Sequence, residues 1–293
     1  MCLRFSGLRS GLPDGIGNLT SMEVLGKISV DSVSIVQELG KMNKLRELNI
    51  EFKSLGLVEA FVESLGKMQK IQRVEICAKV EGLVSMDLLG ERWAPPEVLR
   101  EFIMWQGAKF STLPEWNPSH LSQLSILVIA VEEVQQEVLG FLGQLPALRR
   151  LDLCSLNQRP LLIGSEGFRC LENIDLRSKW PSQILFQPGA LPKAEYIRLR
   201  MDLRLAKEDA AGNGGDWFDL GMENMPSLQR TCVEFRRSGV TAGEAKQAKA
   251  ALEKALRAHP NRPKFDIDFD KDIPEDARDE DVYIKGVDED EGP

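Results

Sequence analysis

The stretch Leu39-Gly40-Lys41-Met42-Asn43-Lys44-Leu45-Arg46-Glu47-Leu48-Asn49-Ile50 returns twenty-six residues later as Leu65-Gly66-Lys67-Met68-Gln69-Lys70-Ile71-Gln72-Arg73-Val74-Glu75-Ile76. Both copies place an apolar residue at every third position and then two more separated by one residue. The three-residue rhythm suits a coiled approach segment, and the closing alternation suits a short half-buried strand. A unit this short cannot bury its own apolar side, so copies of it must stack on one another. The frame recurs at Leu99/Phe102/Met104, Leu124/Leu127/Ile129, Leu148/Leu151/Leu153, Leu171/Ile174/Leu176, Ala194/Ile197/Leu199 and Leu228/Thr231/Val233. An opening copy runs through Met22, Leu25, Ile28 and Val30. Spacings are 20 to 28 residues when the first copy is centred on Ile28, with a longer final interval of 34.

This design is similar to the leucine-rich repeat. It predicts an α/β fold: a horseshoe solenoid with a parallel concave sheet and irregular helices and turns on the convex side. Segments 31–39, 54–65 and 132–142 each run to a glycine (Gly40, Gly66, Gly143) and are expected to be helical; the first two also open on capping residue types. The connection from Leu156 to Phe168, broken by Pro160 and Gly164, should form short turns. The segment from Lys207 to Gly215 reads as an exposed insertion. Thr241-Ala242-Gly243-Glu244 forms a capping box that opens an alanine-rich helix stopped by Pro260, and Phe265-x-Ile267-x-Phe269 alternates as one more strand. Together they would cover the last apolar layer, which a solenoid end requires. The expected organisation is a solenoid over 1–240, a capping helix and strand over 241–270, and an acidic disordered tail over 271–293.

Charge is distributed unevenly. From Asp266 onward thirteen acidic residues face three basic ones, so the net of −10 there leaves +2 for the preceding residues of a chain at −8 overall. A nearly neutral body gives no electrostatic case for nucleic acid. The longest apolar run, 124–131 with one serine inside it, is far short of a membrane span. Five cysteines (Cys2, Cys77, Cys154, Cys170, Cys232) are scattered without a C-x-x-C pair, which favours reduced, inert thiols and an intracellular, cytoplasmic setting. His120 and His259 are far apart and read as surface residues. No phosphate-binding loop or marked pair of carboxylates is present, so neither an enzyme nor a bound cofactor or metal is expected.

Strand alternation assigns the residues between the apolar positions to the concave face. The first three strands present Lys27, Ser29, Asp31, Glu47, Asn49, Glu51, Arg73, Glu75 and Cys77. The middle strands present Ile103, Trp105, Ile126, Val128 and Ala130, without charge. The later ones lean basic, with Arg150, Asp152, Arg177, Tyr196, Arg198, Arg200 and Arg230. An apolar patch with a tryptophan beside arginines and a tyrosine has the composition of a binding hot spot. Ile103, Trp105, Ile126, Val128, Arg177, Tyr196, Arg198 and Arg200 are therefore the candidate protein-binding residues. The competing reading shifts the loose repeat around Trp105 in register and puts the tryptophan in the core.

Leu12-Pro13-Asp14-Gly15-Ile16-Gly17-Asn18-Leu19-Thr20-Ser21-Met22-Glu23-Val24-Leu25, the helix end Gln37-Glu38-Leu39-Gly40 and the closing Ala258-His259-Pro260-Asn261-Arg262-Pro263 carry a more specific likeness. Up to about Asp270 the chain resembles the C-terminal repeats of plant intracellular disease-resistance receptors, the grass coiled-coil nucleotide-binding type. That resemblance implies a non-catalytic module of the plant defence response. Its partner would be a pathogen effector, a modified host protein or the nucleotide-binding module of a receptor. The coiled coil and nucleotide-binding module themselves are absent from this sequence, so nucleotide binding does not carry over, and the start in mid-repeat suggests a fragment of a longer receptor. The alternative is a general cytosolic repeat scaffold, such as a signalling adaptor or a subunit that recruits substrates to a ubiquitin ligase.

Overall fold

The structure, a computed structural model, describes residues 2–3, 15–105, 107–155, 161–178, 184–213, 220–236 and 239–269. Each recurrence of the apolar frame forms one strand of a parallel sheet. In chain order the strands begin with β1 (Cys2–Leu3), β2 (Val24–Val30), β3 (Glu47–Phe52), β4 (Arg73–Ala78) and β5 (Val84–Ser85). There follow β6 (Glu101–Met104), β7 (Ala108–Lys109), β8 (Ile126–Val131), β9 (Arg150–Ser155) and β10 (Leu161–Ile163). The last are β11 (Asn173–Ser178), β12 (Ile184–Phe186), β13 (Tyr196–Asp202), β14 (Arg230–Arg236) and β15 (Lys264–Phe269). Eleven of them make one sheet in the order β1-β2-β3-β4-β6-β8-β9-β11-β13-β14-β15; β5 pairs with β7 and β10 with β12 in two small separate sheets.

Register aligns the apolar frame into files. Leu25, Leu48, Val74, Phe102, Leu127, Leu151, Ile174, Ile197 and Thr231 lie opposite one another from strand to strand. All are buried. The opening copy departs slightly from expectation. Leu25, not Ile28, sits opposite Leu48, because the register shifts between Leu25 and Ile28; β2 takes up the extra residue as an irregularity rather than moving the file.

A repeated backbone device holds adjacent repeats in step. At the entry to each strand, one carbonyl of the preceding repeat accepts two consecutive N–H groups: Glu23 from Arg46 and Glu47, Arg46 from Gln72 and Arg73, Gln72 from Arg100 and Glu101. The series continues through the carbonyls of Arg100, Ser125, Arg149, Glu172 and Glu195. Pairing of this kind satisfies the polar backbone of turns that are packed too tightly for water.

The convex side changes character along the chain. Early repeats use helices: α1 (Val33–Leu39), α2 (Val58–Gly66) and α3 (Asp87–Arg92). Ser64 Oγ donates to the Val36 carbonyl at 2.8 Å and locks α1 to α2. The expected caps at Asp31 and Ser54 are not the helix starts; α1 is preceded by Ser32 and α2 by Leu57, neither making a side-chain cap. Next comes α4 (Gln136–Gly143), close to the expected span, and then β10 and β12 in place of helices.

The loose repeat is filled by aromatic rings. Phe102 keeps its place in the core file, and Trp116 lies 5.1 Å from it and 5.8 Å from Trp93, edge-on in both cases. Phe110 closes the group at 6.3 Å from Trp116. Rings prefer such edge-to-face arrangements. Trp105 is not part of this core group, so the reading that shifted it inward is set aside.

At the C-terminal end one expectation gains a secondary structure and one is corrected. The segment read as an exposed insertion, 207–215, continues helix α5 (Leu203–Asn213), with Lys207 and Glu208 exposed on it; the first turn of the helix is held by Asp202 Oδ1 accepting from the N–H groups of Arg204 at 2.9 Å and Leu205 at 3.2 Å. Buried Leu203 and Ala206 supply its apolar side; residues 214 and 215 lie outside the described ones. His259 is not a surface residue but only 2% exposed. Its Nε2 bonds the Met225 carbonyl at 3.1 Å and its Nδ1 accepts from the Asn261 N–H at 3.1 Å.

Helix α6 (Ala242–Ala258) starts with the capping box of Thr241 and Glu244. It buries Ala245, Ala248, Leu252 and Leu256. Lys249 donates to the Ile267 carbonyl and lies over the Phe269 ring, and Arg257 lies over Phe265. Those aromatic residues would otherwise await a further repeat. The segment expected to be a disordered tail, 271–293, falls outside the described residues. No helix among the described residues is long and apolar enough to cross a membrane.

Candidate functional site: the concave face of the sheet

Between the core files, the outward residues of the large sheet form three rows. The row nearest the strand starts reads Glu47, Arg73, Glu101, Ile126, Arg150, Asn173, Tyr196, Arg230 and Lys264. The middle row reads Asn49, Glu75, Ile103, Val128, Asp152, Asp175, Arg198, Cys232 and Asp266. The third passes from Ser29 and Glu51 to Cys77, and later from Ala130 and Cys154 through Arg200 and Glu234.

The middle of the face departs from the expected apolar patch. Ile103 and Val128 are 5% and 3% exposed, so neither offers a surface to a partner. They stand opposite one another in register, with Glu75 on one flank and Asp152 on the other. The Trp105 indole N–H donates to Glu75 Oε1 at 2.8 Å, which draws the ring toward that row. Parallel strands about 4.8 Å apart leave little room between large side chains on one face. Ala130 likewise packs with the core. Trp105 itself is half-buried and follows β6 directly, its backbone N–H bonded to the Ile76 carbonyl. Ile126 is also half-buried. The floor is thus closed, and the tryptophan remains as a fixed partly exposed ring.

Around Trp105 the early strands are knitted by ions. Arg73 reaches both Glu75 and Glu101 at 3.0 Å. Glu51 is almost fully buried and ringed by Lys53 at 2.6 Å, Lys79 at 3.0 Å, Lys27 at 3.5 Å and the Ser29 hydroxyl at 2.9 Å. Burial pushes its pKa up, but the hydrogen bonds from Lys53, Lys79 and Ser29 and the charge of Lys27 outweigh it and bring the value down to about 2. The acidic lean expected of these strands is therefore neutralised on the spot. Lys53 and Lys79 escaped notice in the sequence, although both directly follow a strand and are twenty-six residues apart, the period of the repeat.

The later strands carry the basic and aromatic residues. Tyr196 is half-buried with the Arg230 guanidinium 5.7 Å from its ring centre. Burial first, then the neighbouring thiol of Cys232, raises the Tyr196 pKa, so its hydroxyl stays a neutral hydrogen-bonding group. Arg198 is half-buried and its Nε has no hydrogen-bond partner. Arg200 is engaged with Glu234 at 2.7 Å. Arg150 and Asp152 form a two-point pair at 3.1 and 2.7 Å. Arg177 occupies the β11 position opposite Cys154, and its side chain lies outside the described residues. Burial also raises the pKa values of Cys77 and Cys232, which keeps both as protonated thiols. Lys264 joins the basic residues at the end of the sheet, turned to this face by the alternation of Phe265, Ile267 and Phe269.

Of the candidate residues, Tyr196 and Arg198 gather at the C-terminal part of the face with Arg200 close by in register. Trp105 and Ile126 belong to strands nearer the middle of the sheet. The face has the makings of a docking surface for a polypeptide: one anchored indole, one tyrosine backed by a guanidinium, and a basic end. A family model described as leucine-rich repeat region matches residues 1–265. The curated proteins contain no match to the chain.

Proposed function

The chain belongs to the leucine-rich repeat region family, and from that premise we propose that it is the recognition module of a plant defence response, gripping a protein partner on its concave face. Leucine-rich repeats are protein-recognition modules; the finer assignment to defence rests on the likeness of the 12–25 and 258–263 segments to disease-resistance receptors. The observation that carries the choice of face is the coexistence of Trp105, held by its bond to Glu75, with Tyr196 and Arg198 on one sheet. Tryptophan, tyrosine and arginine dominate binding energy at interfaces, and a ring fixed before binding loses little freedom on docking. Partners of this reading are a pathogen effector, an altered host protein or the nucleotide-binding part of a receptor, in the cytoplasm, with no catalysis by the chain itself.

The test is proximity labelling in grass cells with the full chain and with a Trp105→Ala, Tyr196→Ala, Arg198→Glu chain. Loss of the labelled immune proteins in the triple variant, with unchanged thermal unfolding, is the expected result. An unchanged set of partners would remove the concave face from the proposal. Recovery of ligase or signalling subunits in place of immune proteins would assign the chain to the scaffold class.

A further inference from the structure

From Ile126 to the end of the sheet, the row nearest the strand starts holds Arg150, Asn173, Tyr196, Arg230 and Lys264 and no acid. Arg230 and Lys264 are exposed, and neither forms an ion pair among the described residues. Beside them Arg198 keeps a buried Nε without a hydrogen bond. This positive rim is not a reflection of a basic chain, since residues 1–269 are balanced in charge. The whole negative net charge of −8 resides in residues 270–293, with eleven acidic residues against three basic ones.

We infer that the acidic segment 270–293 of this chain folds back onto that rim, with Arg230 and Lys264 as its anchors. The segment starts at the far end of β15 from Lys264, so it need return only about 20 Å, the length of a six-residue strand. Its 24 residues extend to roughly 80 Å, ample to cross the rim of six strands, about 24 Å wide. Asp266 and Asp268 stand exposed further along the same strand and repel the segment from the sheet's interior, which confines it to the edge. A tethered segment acts at an effective concentration on the order of millimolar, so weak exposed pairs suffice to hold it. Such a cover is salt-sensitive and reversible. Any partner that uses Tyr196 and Arg198 must displace it, and the cover itself does not depend on which partner that is.

Carbodiimide coupling of the full chain, which joins carboxylates directly to amines in contact, tests this when the products are mapped by mass spectrometry. The expected result is cross-links within the monomer from the Asp288–Glu291 block to Lys264 or to Lys193, which is exposed in the turn that leads into β13. Their yield falls at least about fivefold in 0.5 M salt and in an Arg230→Glu chain, which keeps both lysines. In parallel, a chain with Asp288→Asn, Glu289→Gln, Asp290→Asn and Glu291→Gln should bind a fluorescent octaglutamate probe roughly tenfold more tightly than the unaltered chain, because its rim is free. Three results would each overturn the inference. One is coupling of the block to Lys246 or Lys254 of α6 as often as to the rim, unaffected by Arg230→Glu. Another is coupling found only between two copies, and the third is an unchanged affinity for the probe.

Discussion

Glu51 shows how a single side chain can decide the chemistry of a neighbourhood. A carboxylate 2% exposed is costly to bury alone, yet three lysines and a serine converge on it from β2, β3 and β4 or just beyond them. Its pKa drops from the ordinary 4.5 to about 2. A depressed folded-state value means that the stabilisation is whole above about pH 4.5 and disappears as pH falls toward 2. Glu51→Gln should therefore cost on the order of 2 kcal/mol at pH 7, with the partly exposed lysines and salt screening holding it to that scale. Urea unfolding measured from pH 7 down to pH 2.5 should show the gap between variant and parent closing. Thr231 makes the opposite case. It completes the core file, fully buried, with its hydroxyl bonded to nothing in the structure. Every other member of that file is aliphatic or aromatic, and Thr231→Val should raise stability by about 1 kcal/mol, read as a higher urea midpoint at unchanged slope. At this scale the sequence was only partly legible. Alternation correctly turned Ile103 and Val128 to the concave side. It says nothing of side-chain crowding there, so their burial had no signal in the pattern. His259 misled for a related reason: its two hydrogen bonds come from Met225 and Asn261, and the Met225 carbonyl that accepts one of them is 34 residues away.

Elements were read most reliably where one local cause dominated. The Thr241 and Glu244 pairing is written within four residues, and both of its hydrogen bonds form. Thr241→Ala should cost about 1 kcal/mol and be felt first at α6 and the Phe265 and Phe269 rings beneath it, which hydrogen exchange of 242–269 would report. Segment 203–213 was legible only in hindsight. Its glycine and charge content hides that Asp202, at the end of β13, caps the first turn, and that Leu203 and Ala206 find a core to enter. The turn after Trp105 depends on a backbone feature rather than a side chain. Gly107 has φ +82°, and a Cβ there would lie 2.0 Å from the Ala78 carbonyl oxygen. Gly107→Ala combines a disfavoured conformation with a clash against backbone that cannot rotate away, and it should destabilise the protein by about 2 kcal/mol or more. Loss of the near-ultraviolet circular dichroism of the Trp93 and Trp116 group, with the far-ultraviolet signal retained, would place the damage in this repeat.

At the scale of the molecule, each repeat pairs and packs with its neighbours in the large sheet, and the carbonyl series from Glu23 to Glu195 joins only adjacent units. Stability in such an array approximates a sum of unit and nearest-neighbour contributions. A defect in the middle should therefore uncouple the two ends instead of lowering a single transition. Leu127 is the place to make it, because it belongs to the core file between Phe102 and Leu151 and is buried. Leu127→Ala removes about 2–5 kcal/mol and leaves a void between two halves of unequal build. Helices α1 and α2 brace the N-terminal half through the bond of Ser64 to Val36 and the packing of Phe61 on Phe52. Between β9 and β13 the convex wall is built from the three-residue strands β10 and β12, with Leu162 and Leu185 exposed. In urea the variant should unfold in two steps, each with a smaller slope than the parent's single transition. Between the steps, exchange protection should already be lost across 161–202 while 24–78 still holds it. A variant that loses protection everywhere at one urea concentration would show coupling that reaches beyond adjacent repeats, and the concave face would then have to be treated as one rigid surface instead of a row of separable units.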